Sequence, residues 1–181
     1  MTPYYQKMSL TGPMIPLLAR VVAFEDPQNL IFLDYLMFNF QSYIEDPAGS
    51  KAIIMILKRT KYGKFVDHCI HFTEKIIEKP ATSSHIANLM IHLLELDIEI
   101  GRFENLIRLT FKHAHLIFLK SKVLCKPFVK LATKLPDHHL LSLFEILKGD
   151  IIQFIPCKSR NYLVQEFVVR ETLPSYVVSH I

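Results

Sequence analysis

A five-residue motif occurs four times along this chain and limits what the chain can fold into. Each copy begins with a small polar residue, continues with a long flat or cationic residue and two apolar residues, and ends on a variable fifth position. The copies begin at Ser50, Ser84, Ser121 and Asn161, so successive starts lie 34, 37 and 40 residues apart. A repeat of this length is typical of helical units that stack and complete each other's core. The motif therefore predicts an all-α solenoid built from helix pairs.

The composition favours a helical chain with a substantial core. Half of the 181 residues are hydrophobic, while five glycines and no tryptophan argue against a β-sandwich or a glycine-rich nucleotide loop. The three cysteines have no paired spacing, which favours a reducing, intracellular setting. The longest apolar runs, such as Ala52 to Leu57, are far shorter than the ~20 residues of a membrane span, so we expect no membrane partner. A net charge of +4 is compatible with an anionic partner but is common among other proteins.

Proline and glycine divide the chain into segments of helical length. We expect an N-terminal extension with a partial repeat over 1–27, about four repeats over 28–172 and a tail over 173–181. A four-helix bundle is an alternative, although the regular breaks favour repeats. An array of this size is also compatible with a fragment of a longer solenoid. The expected helices cover residues 13–25, 28–44, 50–59, 64–78, 84–96, 103–119, 121–133, 138–154 and 161–171.

Four segments carry a family signature, two of them around the last copy. Residues 147–154 read LKGDIIQF and residues 159–165 read SRNYLVQ. Residues 46–51 read DPAGSK, and residues 80–85 are a weaker match to the same pattern. Residues 147–154 and 159–165 resemble the first and second helices of Pumilio-type (PUF) repeats. Residues 46–51 resemble the helix entry found in nucleolar members of that family. The resemblance covers about residues 28–172. It implies a right-handed superhelical solenoid of Pumilio- or armadillo-like repeats whose second helices face single-stranded RNA.

The resemblance implies a role for three positions of each motif copy. Residues one and five lie one turn apart on the same helix face, so both can reach the edge of one base. The second residue points between neighbouring bases, where a flat side chain can stack. In the last copy, Asn161 and Gln165 would read the edge, a pairing that the family associates with uracil, and Tyr162 would stack.

The second copy implies a similar site, with Ser84 and Asn88 reading an edge and His85 stacking. Cationic side chains would add phosphate contacts, which supply affinity that does not depend on sequence. The RNA-binding residues implied in this way are Ser50, Lys51, Ser84, His85, Asn88, Lys122, Arg160, Asn161, Tyr162 and Gln165.

The first and third copies depart from the family pattern. Their fifth positions are Ile54 and Cys125, which are poor readers of a base edge, and their stacking positions are lysines. Pro127 should kink the third helix or end it early. A serine at a helix start is also a good N-cap without any RNA, which is the simpler role for each serine taken singly. These departures resemble the divergent branch of the family, which includes nucleolar proteins of small-subunit ribosome maturation.

The expected function is single-stranded RNA binding in pre-ribosomal RNA processing or post-transcriptional regulation, in the nucleus or nucleolus, with the cytoplasm as the alternative. A protein-binding scaffold of the armadillo/HEAT type is the rival hypothesis, since such solenoids bind partners on the same surface. A third hypothesis is a metal-assisted enzyme centred on His68 and His71, although two ligands do not make a site. We expect no catalytic residue, no cofactor and no metal.

Overall fold

The computed structural model of the protein describes residues 27–60, 63–77 and 83–181, and every element in these residues is a helix. The prediction of an all-α chain is confirmed for this part of the protein. The expected helix over 13–25 lies outside the described residues. The α-helices are α1 (Pro27–Phe38), α2 (Phe40–Glu45), α3 (Pro47–Leu57), α4 (Gly63–Ile77), α5 (Ser84–Glu95), α6 (Glu104–Lys112), α7 (Cys125–Lys134), α8 (Asp137–Leu147), α9 (Asn161–Val169) and α10 (Ser175–His180). Ile100–Phe103 and Lys148–Phe154 form 3₁₀ helices, and Leu116–Lys120 forms a short π-helix.

These helices form two compact units. The first unit contains the described residues up to Lys75 and the segment Ser83–Leu96, and so includes α1 to α3, most of α4, and α5. The second unit contains Asp97–Ile181 together with Ile76 and Ile77 at the end of α4.

The core of the first unit is built around Phe40. Its ring lies 4.8 Å from the ring of Phe72, 5.0 Å from that of His68 and 6.3 Å from that of Phe65, measured between centroids. Helix α2, which carries Phe40, packs against both α3 and α5. Aromatic surface buried here contributes to the hydrophobic stabilisation of the unit.

The core of the second unit is also aromatic. Phe144 of α8 lies 5.3 Å from Phe167 of α9, and the rings meet edge to face, the arrangement that their quadrupoles favour. Phe118 and Phe128 form a second edge-to-face pair at 6.5 Å. Helix α9 contacts α7, α8 and α10, which places the last motif copy at the centre of this unit's packing.

Several expected segments differ from the structure, among them the helix expected over 138–154, which is divided into α8 and the second 3₁₀ helix. The helix expected over 28–44 is divided at Asn39, whose side-chain amide and backbone amide both donate to the Tyr35 carbonyl, at 3.0 and 3.2 Å. The helix expected over 103–119 is divided into α6 and the π-helix. The segment expected as a tail forms α10, which buries Val177 and whose Tyr176 hydroxyl donates to Glu145 at 2.8 Å.

Candidate nucleic-acid interface

Two of the four motif copies occupy the same place in a helix. Ser84 is the first residue of α5 and Asn88 the fifth, while Asn161 is the first residue of α9 and Gln165 the fifth. Residues four apart lie on one helix face. The second and fourth copies therefore place their first and fifth side chains in equivalent positions, one pair in each compact unit.

The polar face of α5 is open to solvent. Ser84 and Asn88 are exposed and His85 is half-buried, while Ile86, Ala87 and Leu89 on the other side are buried. The helix begins after Ser83, whose extended backbone leads into it and whose carbonyl accepts from the Ala87 amide at 3.3 Å. Burial of the apolar side thus fixes which side chains of this copy reach the surface.

Helix α9 presents a similar face together with an aromatic ring. Tyr162 is 56% exposed and Gln165 is exposed, whereas Leu163 and Val164 are buried. Asn161 is half-buried, and its backbone N–H donates to the Cys157 carbonyl at 2.8 Å in the turn before the helix. An exposed tyrosine beside two amide side chains can offer both a stacking surface and edge-reading groups to a base.

Arg160 makes a structural contact, whereas the family resemblance implied a phosphate contact. Its Nη2 atom donates to the Leu119 carbonyl at 2.6 Å, and the side chain is half-buried. The bond links the start of α9 to the π-helix, where a carbonyl without an intrahelical partner accepts it. Part of the guanidinium is therefore engaged in positioning α9.

The first copy differs because its helix starts three residues earlier than expected. Asp46 accepts a hydrogen bond from the Gly49 amide at 2.7 Å and Pro47 occupies the first helical position, which together make a strong N-terminus. A Cβ atom on Gly49 would collide with the Tyr43 carbonyl oxygen, so α3 runs close against α2. Ser50 is consequently the fourth residue of α3 and only 2% exposed, so its hydroxyl is neither an N-cap nor open to RNA in this structure. Lys51 is exposed.

The third copy differs in the opposite sense. Ser121 precedes α7, and its hydroxyl accepts from the backbone amide of Leu124 at 3.1 Å in the turn before the helix. The N-cap of α7 is Leu124, so Ser121 is not the N-cap that a serine at the helix start would have been. Helix α7 begins only at Cys125, which is buried, while Lys122 is exposed. Pro127 is then in the first turn, where a missing amide costs nothing, and the helix continues to Lys134. The prediction that Pro127 ends this helix early is therefore wrong.

The structure adds a cleft beside Tyr162 that the motif did not indicate. It is open, has a volume of about 570 Å³, and combines two lysines, a tyrosine, a serine, a cysteine and a valine: Lys126, Val129, Cys157, Lys158, Ser159 and Tyr162. The lining comes from α7, α9 and the loop between the second 3₁₀ helix and α9. Only the approach of α7 to α9 brings Lys126 and Tyr162 together, so spacing along the chain carried no signal for it.

Cys157 differs from the other two cysteines. A hydrogen bond with the Ser159 hydroxyl at 3.6 Å, followed by a backbone bond from Arg160, lowers the pKa of the Cys157 thiol. Burial raises the pKa of Cys69 and of Cys125. Because the thiolate is the reactive form, Cys157 is the thiol most open to chemical modification.

The histidines of α4 are part of a different surface. His68 packs edge-on against Phe40, and His71 Nδ1 lies 3.5 Å from a Glu74 carboxylate oxygen. Within residues 27–60, 63–77 and 83–181, no three His, Cys, Asp or Glu side chains are grouped so that they could hold a metal ion.

No helix among the described residues has both the length and the apolar character needed to cross a membrane.

Comparisons of this chain with protein-family models, with curated proteins and with solved structures each find no match.

Proposed function

We propose that the protein binds single-stranded RNA, without catalysing a reaction, through the polar faces at the starts of α5 and α9. One observation carries the proposal: the second and fourth copies place a polar pair at the first and fifth positions of a helix, and three of these four residues are exposed. One base edge can be read by such a pair, and the family resemblance points to single-stranded RNA as the ligand.

The second part of the proposal concerns how the bases are held. Tyr162 is exposed next to the fourth pair and His85 is half-exposed next to the second, so each pair has a ring for stacking. Exposed Lys51 and Lys122 supply positive charge for phosphates. With two competent pairs, we expect modest affinity that falls steeply with salt.

The wider setting is proposed from the sequence resemblance. We propose a solenoid arrangement of helix pairs and a role in pre-ribosomal RNA processing or post-transcriptional regulation. The entry at Asp46–Ser50, which is similar to that of nucleolar Pumilio-like proteins, favours the nucleus or nucleolus.

Fluorescence anisotropy with a labelled uridine-rich RNA tests this function. Loss of one stacking contact costs about 1–3 kcal/mol, so we expect Tyr162→Ala/Gln165→Ala to weaken binding roughly tenfold or more. Gln153→Ala, which removes an exposed glutamine of the second 3₁₀ helix, is the control and should bind as the wild type does. A wild-type protein that is folded but does not bind this RNA at low salt would contradict the proposal.

A protein-binding scaffold is the second candidate because the second unit exposes several large apolar side chains. Ile152 is 71% exposed and Val169 is 74% exposed, and Ile155 and Val168 are also exposed. Large exposed apolar side chains are often found where another protein binds. Absence of RNA binding would move the proposal to this candidate, for which Val169→Lys is the informative variant.

A further inference from the structure

We propose that the cleft between α7 and α9 binds one nucleotide of the RNA strand, with the base against Tyr162 and the phosphate near Lys126 and Lys158. This inference rests on the proposed function and extends it to residues outside the motif. A nucleotide combines a flat ring with a negative charge, and the cleft lining combines a flat ring with two positive charges.

The charges of the cleft favour an anion. Lys126 on α7 and Lys158 on the loop before α9 are both exposed. Neither forms an ion pair within the described part of the chain, and none of the six lining residues named above carries a carboxylate. Two ammonium groups without a protein counter-ion can therefore neutralise a phosphate at little cost in lost internal contacts.

The size and the remaining groups of the cleft also fit a nucleotide. A volume of about 570 Å³ lies within the range of roughly 300–1,000 Å³ that small-molecule sites occupy. Val129 supplies an apolar wall and the Ser159 hydroxyl a hydrogen-bonding group. Tyr162 belongs both to the cleft lining and to the polar face of α9. The phosphate next to a base stacked on Tyr162 would therefore lie at the cleft.

Cys157 makes the cleft testable without introducing a label. It lines the same cleft, it is partly exposed, and it is the thiol most open to modification. A nucleotide in the cleft should shield its sulfur from iodoacetamide, and peptide mass spectrometry can measure alkylation of each cysteine separately. We expect saturating uridine-rich RNA to slow alkylation of Cys157 at least severalfold.

Two double variants test the lysines. Each neutralised phosphate of a single strand contributes about 0.7 to the salt slope. Since the two lysines face one phosphate, Lys126→Ala/Lys158→Ala should weaken RNA binding and lower the magnitude of the slope by roughly 0.7. The control Lys112→Ala/Lys120→Ala removes two exposed lysines of the same unit outside the cleft. We expect the control to retain the wild-type slope, and thermal unfolding should show that both variants are folded.

The outcomes separate this inference from the proposed function. If Lys126→Ala/Lys158→Ala binds RNA with the wild-type salt slope and RNA does not shield Cys157, the cleft is not a nucleotide site. The proposed function would then still stand. No RNA binding by the folded wild type would overturn the proposed function. A final experiment repeats the alkylation with uridine 5′-monophosphate. If this free nucleotide shields Cys157 but RNA does not, the proposal that the cleft binds a nucleotide of an RNA strand is overturned.

Discussion

Ser50 and Asn161 have the same position in their motif copies but opposite surroundings. Asn161 begins its helix and lies next to an exposed tyrosine, whereas Ser50 is three residues inside its helix and buried. Three residues turn a helix by about 300°, which is enough to change which side chains face the core. A residue's role in this protein therefore depends on where its helix starts as well as on its place in the motif.

Protonation of His68 should affect folding of the first unit. Its Nε2 atom is buried and has no hydrogen-bond partner within the described residues. Burial, followed by the nearby charges of His71 and Lys75, lowers the pKa of His68 below its usual value. The folded protein thus binds fewer protons at this site than the unfolded chain, so its contribution to stability is present above about pH 6.5 and is lost as the pH falls through the folded pKa.

We expect the free energy of unfolding to decrease between about pH 7 and pH 5, and to decrease less in His68→Gln. Urea denaturation at several pH values measures both slopes. Burial and the nearby His138 also lower the pKa of His139. The stability of His68→Gln should therefore still depend partly on pH. Equal slopes in the two proteins would contradict the role given to His68.

At the scale of elements, helix starts are set by local signals that compete with the repeated motif. The Asp46 cap and Pro47 start α3 early, and Pro127 favours a first-turn position that delays the start of α7. No such signal displaces α5 or α9, which start at the motif. The two copies that best match the expected geometry are those with no proline in the first turn.

Arg170 joins the ends of three helices in the second unit. Following α9, it donates to the carbonyls of Thr133 and Leu135 at the end of α7, at 2.8 and 3.2 Å, and to Asp137 at the start of α8, at 2.8 Å. Thr172 donates to the other Asp137 oxygen at 2.6 Å. Carbonyls at a helix end have no intrahelical partner, so this side chain satisfies groups that would otherwise depend on water.

Arg170→Ala should lower the free energy of unfolding by about 1 kcal/mol or somewhat more, because two carbonyl hydrogen bonds are lost at a partly exposed site. Arg170→Lys keeps the charge but cannot reproduce the forked contacts, so we expect an intermediate value. Chemical denaturation compares the three proteins. A stability of Arg170→Ala equal to that of the wild type would show that water replaces these bonds without loss.

At the scale of the whole molecule, the candidate RNA-binding residues are divided between two compact units. The pair on α5 belongs to the first unit, and the pair on α9 and the cleft belong to the second. The net charge of +4 is small, so specific contacts at these sites would have to supply affinity that overall charge does not.

We expect the losses of RNA affinity caused by Ser84→Ala/Asn88→Ala and by Asn161→Ala/Gln165→Ala to add in the quadruple variant. Substitutions in sites that share no contacts add within about 0.5 kcal/mol. Anisotropy titrations of the three variants and the wild type provide the comparison. If the loss in the quadruple variant differs from the sum of the two double-variant losses by clearly more than this, the two pairs do not act on the strand independently.

The sequence by itself determined the helical class, the approximate position of most helices and the apolar side of each motif copy. Of the apolar motif positions expected in the core, Ile53, Ile86 and Leu163 are buried and Val123 is half-buried. Apolar periodicity is a local property that a sequence displays directly. The tertiary structure alone decided that Ser50 is buried, that Arg160 binds a carbonyl 41 residues away, and that Lys126 meets Tyr162 in a cleft. These outcomes depend on how closely helices approach one another, which is set by packing between residues far apart in the chain.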